Sequence, residues 1–292
     1  MIEQDLLSKS ETQIHTVLWP AELQSDKLLF LVHSYGDCVA RYDWLARQFN
    51  KDGWDVAAFD LSAHGRSGGL RGRWKNSSQL MDELELVISN FKSTSNHKTW
   101  LGLGMGFGAN LLARYELTHD DNLFNGFLFW APIIRLSTRI PKVLLDSIKY
   151  VNTFTSHLSV LTLQPHLFTH HVDDLYGLIP DWDDDYGRIS AQTAGILMDS
   201  AKFLIKHWEE FTKPIWVGWG EEDQFVDASW FRQREEERSD IRQVFSQFAN
   251  ATHYMDPTDT GYLIVSMMRK WTEQFESLKS DKKKINKSLV AE

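Results

Sequence analysis

Four short stretches carry residues able to do chemistry, and each follows an apolar run. They are His33–Asp37 (HSYGD), Gly102–Gly106 (GLGMG), Gly220–Asp227 (GEEDQFVD) and Ala249–Asp256 (ANATHYMD). Two of them offer the imidazoles His33 and His253, and a third offers the carboxylate Asp223. The fourth is a turn with glycines at 102, 104, 106 and 108. Glycine tolerates positive φ and leaves room for close backbone approach. A sharp strand-to-helix turn aims one side chain and several N–H groups at a single spot, where enzymes place a nucleophile. A carboxylate-held imidazole beside such a turn would serve general-base and acyl-transfer chemistry. We read the apex of the turn as Gly104, which has no side chain with which to attack.

These residues need a frame. Gln13–Leu18, Lys27–His33 (KLLFLVH), Trp54–Phe59, Trp100–Leu103 and Leu123–Trp130 read as strands, and Ala40–Phe49 and the stretch from Ser78 to Phe91 as amphipathic helices between them. The alternation predicts βαβ units, hence an α/β fold with a mostly parallel central sheet flanked by helices. In such a sheet functional groups gather beyond the C-terminal ends of the strands. From Ile133 to about Trp208 no strand is predicted. Val143–Tyr150, Ala191–Leu197 and Ala201–Trp208 look helical, so this segment is a helical insertion over one edge of the sheet. The rhythm returns with a strand at Pro214–Trp219, a helix at Ser229–Arg238, a strand at Arg242–Phe248 and a last helix at Gly261–Leu278.

The composition narrows the partners. With 42% apolar and 24% charged residues the chain is ordinary for a soluble globular protein. A net charge of −9 argues against nucleic acid, which needs a basic footprint. The lone Cys38 excludes an intramolecular disulfide framework and fits a reducing compartment. The N-terminal MIEQDLLSKSETQ has neither a basic opening nor an apolar core, so no signal peptide is expected. The longest apolar runs, such as Phe127–Ile134, are too short to span a bilayer. The expected location is cytoplasmic, with transient contact at a membrane surface through the basic tail Lys279–Lys287.

At this point the chain resembles a known family. FLVHSYGDCVARYDWLARQFNKDGWDVAAFDLSAHGRSGGLRG is similar to the opening of the monoacylglycerol lipase and lysophospholipase family of α/β-hydrolases. That family has a His-Gly oxyanion loop, a following Arg-Tyr and a D-x-x-G-H-G-x-S-x-G loop. Here these fall on His33–Ser34, Arg41–Tyr42 and Asp60 through Gly69. The glycine turn resembles the family's G-H-S-M-G-G, PIWVGWGEEDQFVD its acid loop, ANATHYMD its histidine loop, and Tyr186–Ser190 its H-G-R-x-S segment. The likeness spans roughly residues 27–278. It implies an α/β-hydrolase fold with a helical cap inserted after the sixth strand: core 1–132 and 209–280, cap 133–208, flexible basic tail 281–292. It implies nucleophile, acid and base in the order Gly104, Asp223, His253, with backbone N–H groups of Tyr35 and Met105 as the oxyanion hole.

The departures fall at the centre of the chemistry. By this alignment the family's serine falls on Gly104, its preceding histidine on Leu103, its oxyanion-loop glycine on Ser34, and the glycine before His-Gly on Ala63. An acyl-enzyme route needs an oxygen or sulfur near the base, and glycine supplies neither. Hydrolysis of a single-chain lipid ester is therefore expected to be very weak or absent. The alternative is a non-catalytic protein that holds a fatty acyl ligand or a partner in the capped pocket. Ser34 and Cys38 are the candidate substitute nucleophiles. The apolar residues of the insertion, Leu144, Leu145, Leu158, Leu161, Leu163, Leu167, Phe168, Leu175, Ile179 and Trp182, either pack on the sheet or line an acyl groove. No cofactor is expected: the G-x-G-x-x-A match at Gly104, Gly106 and Ala109 lies too deep in the chain for a dinucleotide fingerprint. No metal is expected either, because His170, His171, Asp173 and Asp174 lack ligand spacing.

Overall fold

The structure, a computed structural model, describes residues 1–135, 159–237 and 242–289. The strands are β1 (Ile2–Leu7), β2 (Gln13–Trp19), β3 (Lys27–Val32), β4 (Asp55–Phe59), β5 (Thr99–Met105), β6 (Gly126–Trp130), β7 (Ser159–Thr162), β8 (Arg188–Ser190), β9 (Ile215–Gly220) and β10 (Gln243–Phe248). The helices are α1 (Asp43–Asn50), α2 (Ser77–Thr94), α3 (Phe107–Thr118), α4 (Val172–Leu178), α5 (Trp182–Asp185), α6 (Ala191–His207), α7 (Ser229–Glu237) and α8 (Asp259–Leu289).

Eight strands form one sheet in the order β1-β2-β4-β3-β5-β6-β9-β10. β1 and β2 pair antiparallel, as do β2 and β4, and every later pairing is parallel. The apolar runs explain the central position of β3, β5 and β6, since strands covered on both faces read as near-continuous hydrophobic stretches. Alternate residues then serve opposite layers. Phe30, Phe127 and Phe129 pack under α2, α3 and α6, whereas Leu29, Leu31, Leu128 and Trp130 pack with residues of α1 and α8. Leu163, Phe168, Leu175, Ile179 and Trp182 of the insertion join the first of these clusters, so they are core between insertion and sheet.

Several elements differ from the expectation. β1 has an outward-facing, largely exposed sequence, IEQDLL, and is a strand because its backbone pairs with β2 over Ile2–Leu18 to Leu7–Gln13. The insertion contains a short antiparallel ribbon, β7 with β8, where no strand was expected. Ala191–Leu197 and Ala201–His207 are one helix, α6, and Trp208 opens the short 3₁₀ turn that follows it. Asp199 and Ser200 do not interrupt the helix, and Ser190 caps its start by accepting the Thr193 N–H at 3.2 Å. The last helix runs past Leu278 and takes in most of the predicted flexible tail, to Leu289. The helix predicted at Val143–Tyr150, with Leu144, Leu145 and Leu158, lies outside the described residues.

Candidate functional site

The glycine turn is where the structure corrects the sequence reading. Gly104 is not the apex. It lies inside β5, paired with Val32 on one side and Phe129 on the other. A Cβ there would run into the Ala109 backbone, so position 104 is glycine because α3 begins against it. The residue between strand and helix is Gly106, at φ 49° and ψ −114°, its N–H donated to the Trp130 carbonyl at 2.8 Å. Side-chain-bearing residues rarely adopt this conformation. A Cβ on Gly106 would stand 2.8 Å from His253 Nε2 and 2.9 Å from Ser34 Cβ, and would collide with Ser34 Oγ. Gly108 is glycine for a third reason, since a Cβ there would strike the Val32 carbonyl. The glycine-x-apex-x-glycine frame is therefore Gly104 to Gly108, two residues later than read. The amide following the apex belongs to Phe107, not to Met105, which is still strand.

β9 and β10 are neighbours, and the loops at their C-terminal ends bring the acid and the base together. Asp223 Oδ2 lies 2.9 Å from His253 Nδ1, both side chains being almost fully buried. The other carboxylate oxygen accepts the N–H groups of Phe225 (2.8 Å) and Val226 (2.9 Å), which fixes the acid's orientation. With Nδ1 committed to the carboxylate, Nε2 is the free acceptor. It is buried and has no hydrogen-bond partner among the described residues. The rings of Phe168, Phe225 and Tyr254 wall the imidazole at centroid distances of 5.7, 5.1 and 5.8 Å.

A buried ionic network holds the histidine loop. Arg41 donates to Asp37 Oδ1 at 3.0 Å and to Asp256 Oδ1 at 2.6 Å, and its guanidinium lies 4.4 Å from the Tyr254 ring centroid. Tyr42 donates to Asp37 Oδ2 at 2.5 Å, and Thr169 to Asp256 Oδ2 at 2.6 Å. The sequence offered Arg41–Tyr42 as a family feature. It gave no sign that Arg41 meets a carboxylate 215 positions on.

His33 is not a second base. Its Nε2 accepts the Leu61 N–H at 2.9 Å, so Nδ1 carries the proton and donates to the Ser34 carbonyl at 2.7 Å. It sets the course of the loop. Ser34 Oγ in turn accepts the Phe107 N–H at 3.2 Å. Cys38 is separate from this cluster. Burial, aided by Asp37 and Asp60, pushes its thiol up to about 12, so it carries no thiolate at neutral pH. It lines a cleft of about 520 Å³ with Trp19, Ile179 and Tyr186, whose walls include neither Gly106 nor His253.

The loop after β4 is bracing. Asp60 accepts the N–H groups of Val39 (2.7 Å) and Arg66 (2.8 Å), and a Cβ on Gly65 would collide with its carboxylate. Ala63, which stands where the family has glycine, keeps the left-handed conformation at φ 64°. His170 faces Glu222 at 3.3 Å and His171 faces Asp174 at 3.9 Å. Among the described residues no group of three or more potential ligands converges on a metal position. Nor is any helix among them long and apolar enough to cross a membrane.

An Asp–His pair delivered by loops of adjacent parallel strands, facing a strand–turn–helix elbow, defines the α/β-hydrolase class. Sequence comparison gives the family. The profile described as serine aminopeptidase, S33 (Hydrolase_4) matches residues 24–255, and the chain belongs to that family. It is similar to a monoglyceride lipase homologue of Monkeypox virus, 24% identical over 218 residues, covering 74% of this chain and 78% of the viral one. An uncharacterised abhydrolase domain-containing protein of Dictyostelium discoideum is 25% identical over 142 residues, which are 49% of this chain but 15% of that protein. In fold, the chain is similar to the crystal structure of a Paleococcus ferrophilus monoacylglycerol lipase. The TM-score is 0.76 at 23% identity, covering 90% of this chain and 99% of the other.

Proposed function

We propose that this protein hydrolyses single-chain carboxylic esters, of the monoacylglycerol or lysophospholipid kind, slowly, with Asp223 and His253 as its acid–base pair and no nucleophile at the elbow. The observation that carries this reading is His253 Nε2, a buried acceptor with no hydrogen-bond partner among the described residues, facing the Gly106 position. An unsatisfied buried polar atom costs about 1–3 kcal/mol. That cost has a use if a substrate or nucleophile hydroxyl arrives there to give up a proton. The names of the relatives, monoglyceride and monoacylglycerol lipases, support the substrate class. No cofactor enters the chemistry. The substrate is a small lipid met in the cytoplasm or at a membrane surface.

A second reading, that of a protein which only holds an acyl ligand, draws support from Ser34. Its hydroxyl already occupies the Phe107 amide, a group that would otherwise bind a substrate oxyanion. Hydrolysis of a short-chain aryl ester and of a 1-monoacylglycerol, by the unmodified protein and by His253→Gln, separates the two. The expected result is slow turnover by the unmodified protein that falls in the variant to what binding and the oxyanion amides leave without a base, about 10³–10⁴-fold over water. Saturable binding of the lipid with no His253-dependent turnover would select the second reading.

A further inference from the structure

We infer that Ser34 supplies the nucleophile in this protein, its hydroxyl standing in from the oxyanion loop for the one the elbow lacks. The inference rests on the proposed ester hydrolysis and names the atom that performs it.

Two departures from the family pattern face each other in space. One removes a hydroxymethyl group at Gly106, and the other adds one at Ser34. The structure puts the added group where the removed one would have been. A Cβ on Gly106 would collide with Ser34 Oγ and lie 2.8 Å from His253 Nε2, so hydroxyl and imidazole both border the position a side chain at 106 would take. Ser34 is 2% exposed, and its Oγ accepts one hydrogen bond, from the Phe107 N–H at 3.2 Å. That amide, at the start of a 12-residue helix, favours negative charge on the oxygen. His253 Nε2 has no partner among the described residues and is the proton acceptor the hydroxyl needs. The attack requires the Ser34 side chain to turn about its Cα–Cβ bond toward that nitrogen.

The step balances without any further reactant. Ser34 Oγ attacks the ester carbonyl carbon while its proton passes to His253 Nε2, forming the Oγ–C bond and placing the carbonyl electron pair on oxygen. The Tyr35 amide, which donates to no group among the described residues, remains for that oxyanion. Collapse breaks the bond to the alcohol oxygen, which leaves with the proton from Nε2. Water then gives a proton to Nε2 and attacks the acyl carbon, and Ser34 departs with that proton as a hydroxyl. Asp223 holds Nδ1 throughout.

The test is a fluorophosphonate probe on the folded chain, followed by trypsin and peptide mass spectrometry, alongside aryl-ester hydrolysis. Trypsin separates Leu28–Arg41, which bears Ser34, from Thr99–Arg114, which bears the elbow. The expected adduct lies on Ser34, and both adduct and hydrolysis vanish in Ser34→Ala. A Ser34→Cys variant should become sensitive to iodoacetamide. The double variant Ser34→Gly with Gly106→Ser should move the adduct to Thr99–Arg114, which also shows that the scaffold tolerates change here. His253-dependent hydrolysis that persists in Ser34→Ala, with no adduct on Leu28–Arg41, would overturn the inference and leave the ester hydrolysis standing through direct attack by water. An unmodified protein that neither labels nor hydrolyses, beside a double variant that does both, would overturn the two together.

Discussion

At the scale of the residue, the site turns on which glycine stands at the elbow. Gly102 to Gly106 and Gly104 to Gly108 both fit the spacing, so no count of positions separates them. The separation is physical: Gly104 is hydrogen-bonded into a sheet, and Gly106 has the left-handed φ. Asp223 and His253, by contrast, were legible because each follows a buried strand in the expected order. Two predictions belong here. Gly106→Ser alone should lose about 1–3 kcal/mol in urea unfolding, because it adds a strained residue whose Cβ meets Ser34, and Ser34→Gly in the same chain should recover part of the loss. Asp223→Asn should lower the ester hydrolysis to the level of His253→Gln, as the imidazole loses the partner that fixes its tautomer. Its unfolding midpoint reports whether the fold survives.

At the scale of the element, two loops carry the arrangement. The loop after β4 was readable as glycine-rich bracing, but the conformation of Ala63 was not, since nothing in the sequence marks a φ of 64°. Ala63→Gly removes that strain at the cost of a looser unfolded chain, and the net effect should be a stabilisation of up to about 1 kcal/mol by chemical denaturation. The Asp37–Arg41–Asp256 network is the second case. Arg41 sits four residues from Asp37, yet its other partner comes from the opposite end of the chain. Arg41→Met strands two carboxylates in the interior and should cost about 3–5 kcal/mol, measured by urea unfolding. It should also reduce hydrolysis, because Asp256 closes the loop that aims His253. The ribbon β7–β8 and the edge strand β1 escaped the sequence for a simpler reason: their backbones pair while few of their side chains show a buried, alternating pattern.

At the scale of the whole molecule, the sheet was legible because long apolar runs at βαβ spacing leave few other arrangements, whereas the cap's shape depends on long-range contacts. His64 links the two. It is stacked between Trp74 (5.1 Å) and Tyr186 (4.7 Å), and burial, with His33 and Arg71 adding repulsion, holds its protonation well below the ordinary range. A depressed folded-state pKa means the unfolded chain binds the proton first. The stability tied to His64 is therefore complete above about pH 6.5 and is lost as the pH falls toward the folded value. Urea midpoints followed from pH 8 to 5 should decline more steeply for the unmodified protein than for His64→Phe. The cap is also stitched to both working loops. The Phe168 carbonyl takes the Tyr254 N–H at 2.7 Å, Thr169 holds Asp256, Trp182 Nε1 donates to the Gly36 carbonyl at 2.7 Å, and Tyr35 donates to the Tyr186 carbonyl at 3.0 Å. Displacing this segment would break hydrogen bonds to the histidine loop and to the loop after β3 together, so one flank holds both loops in place.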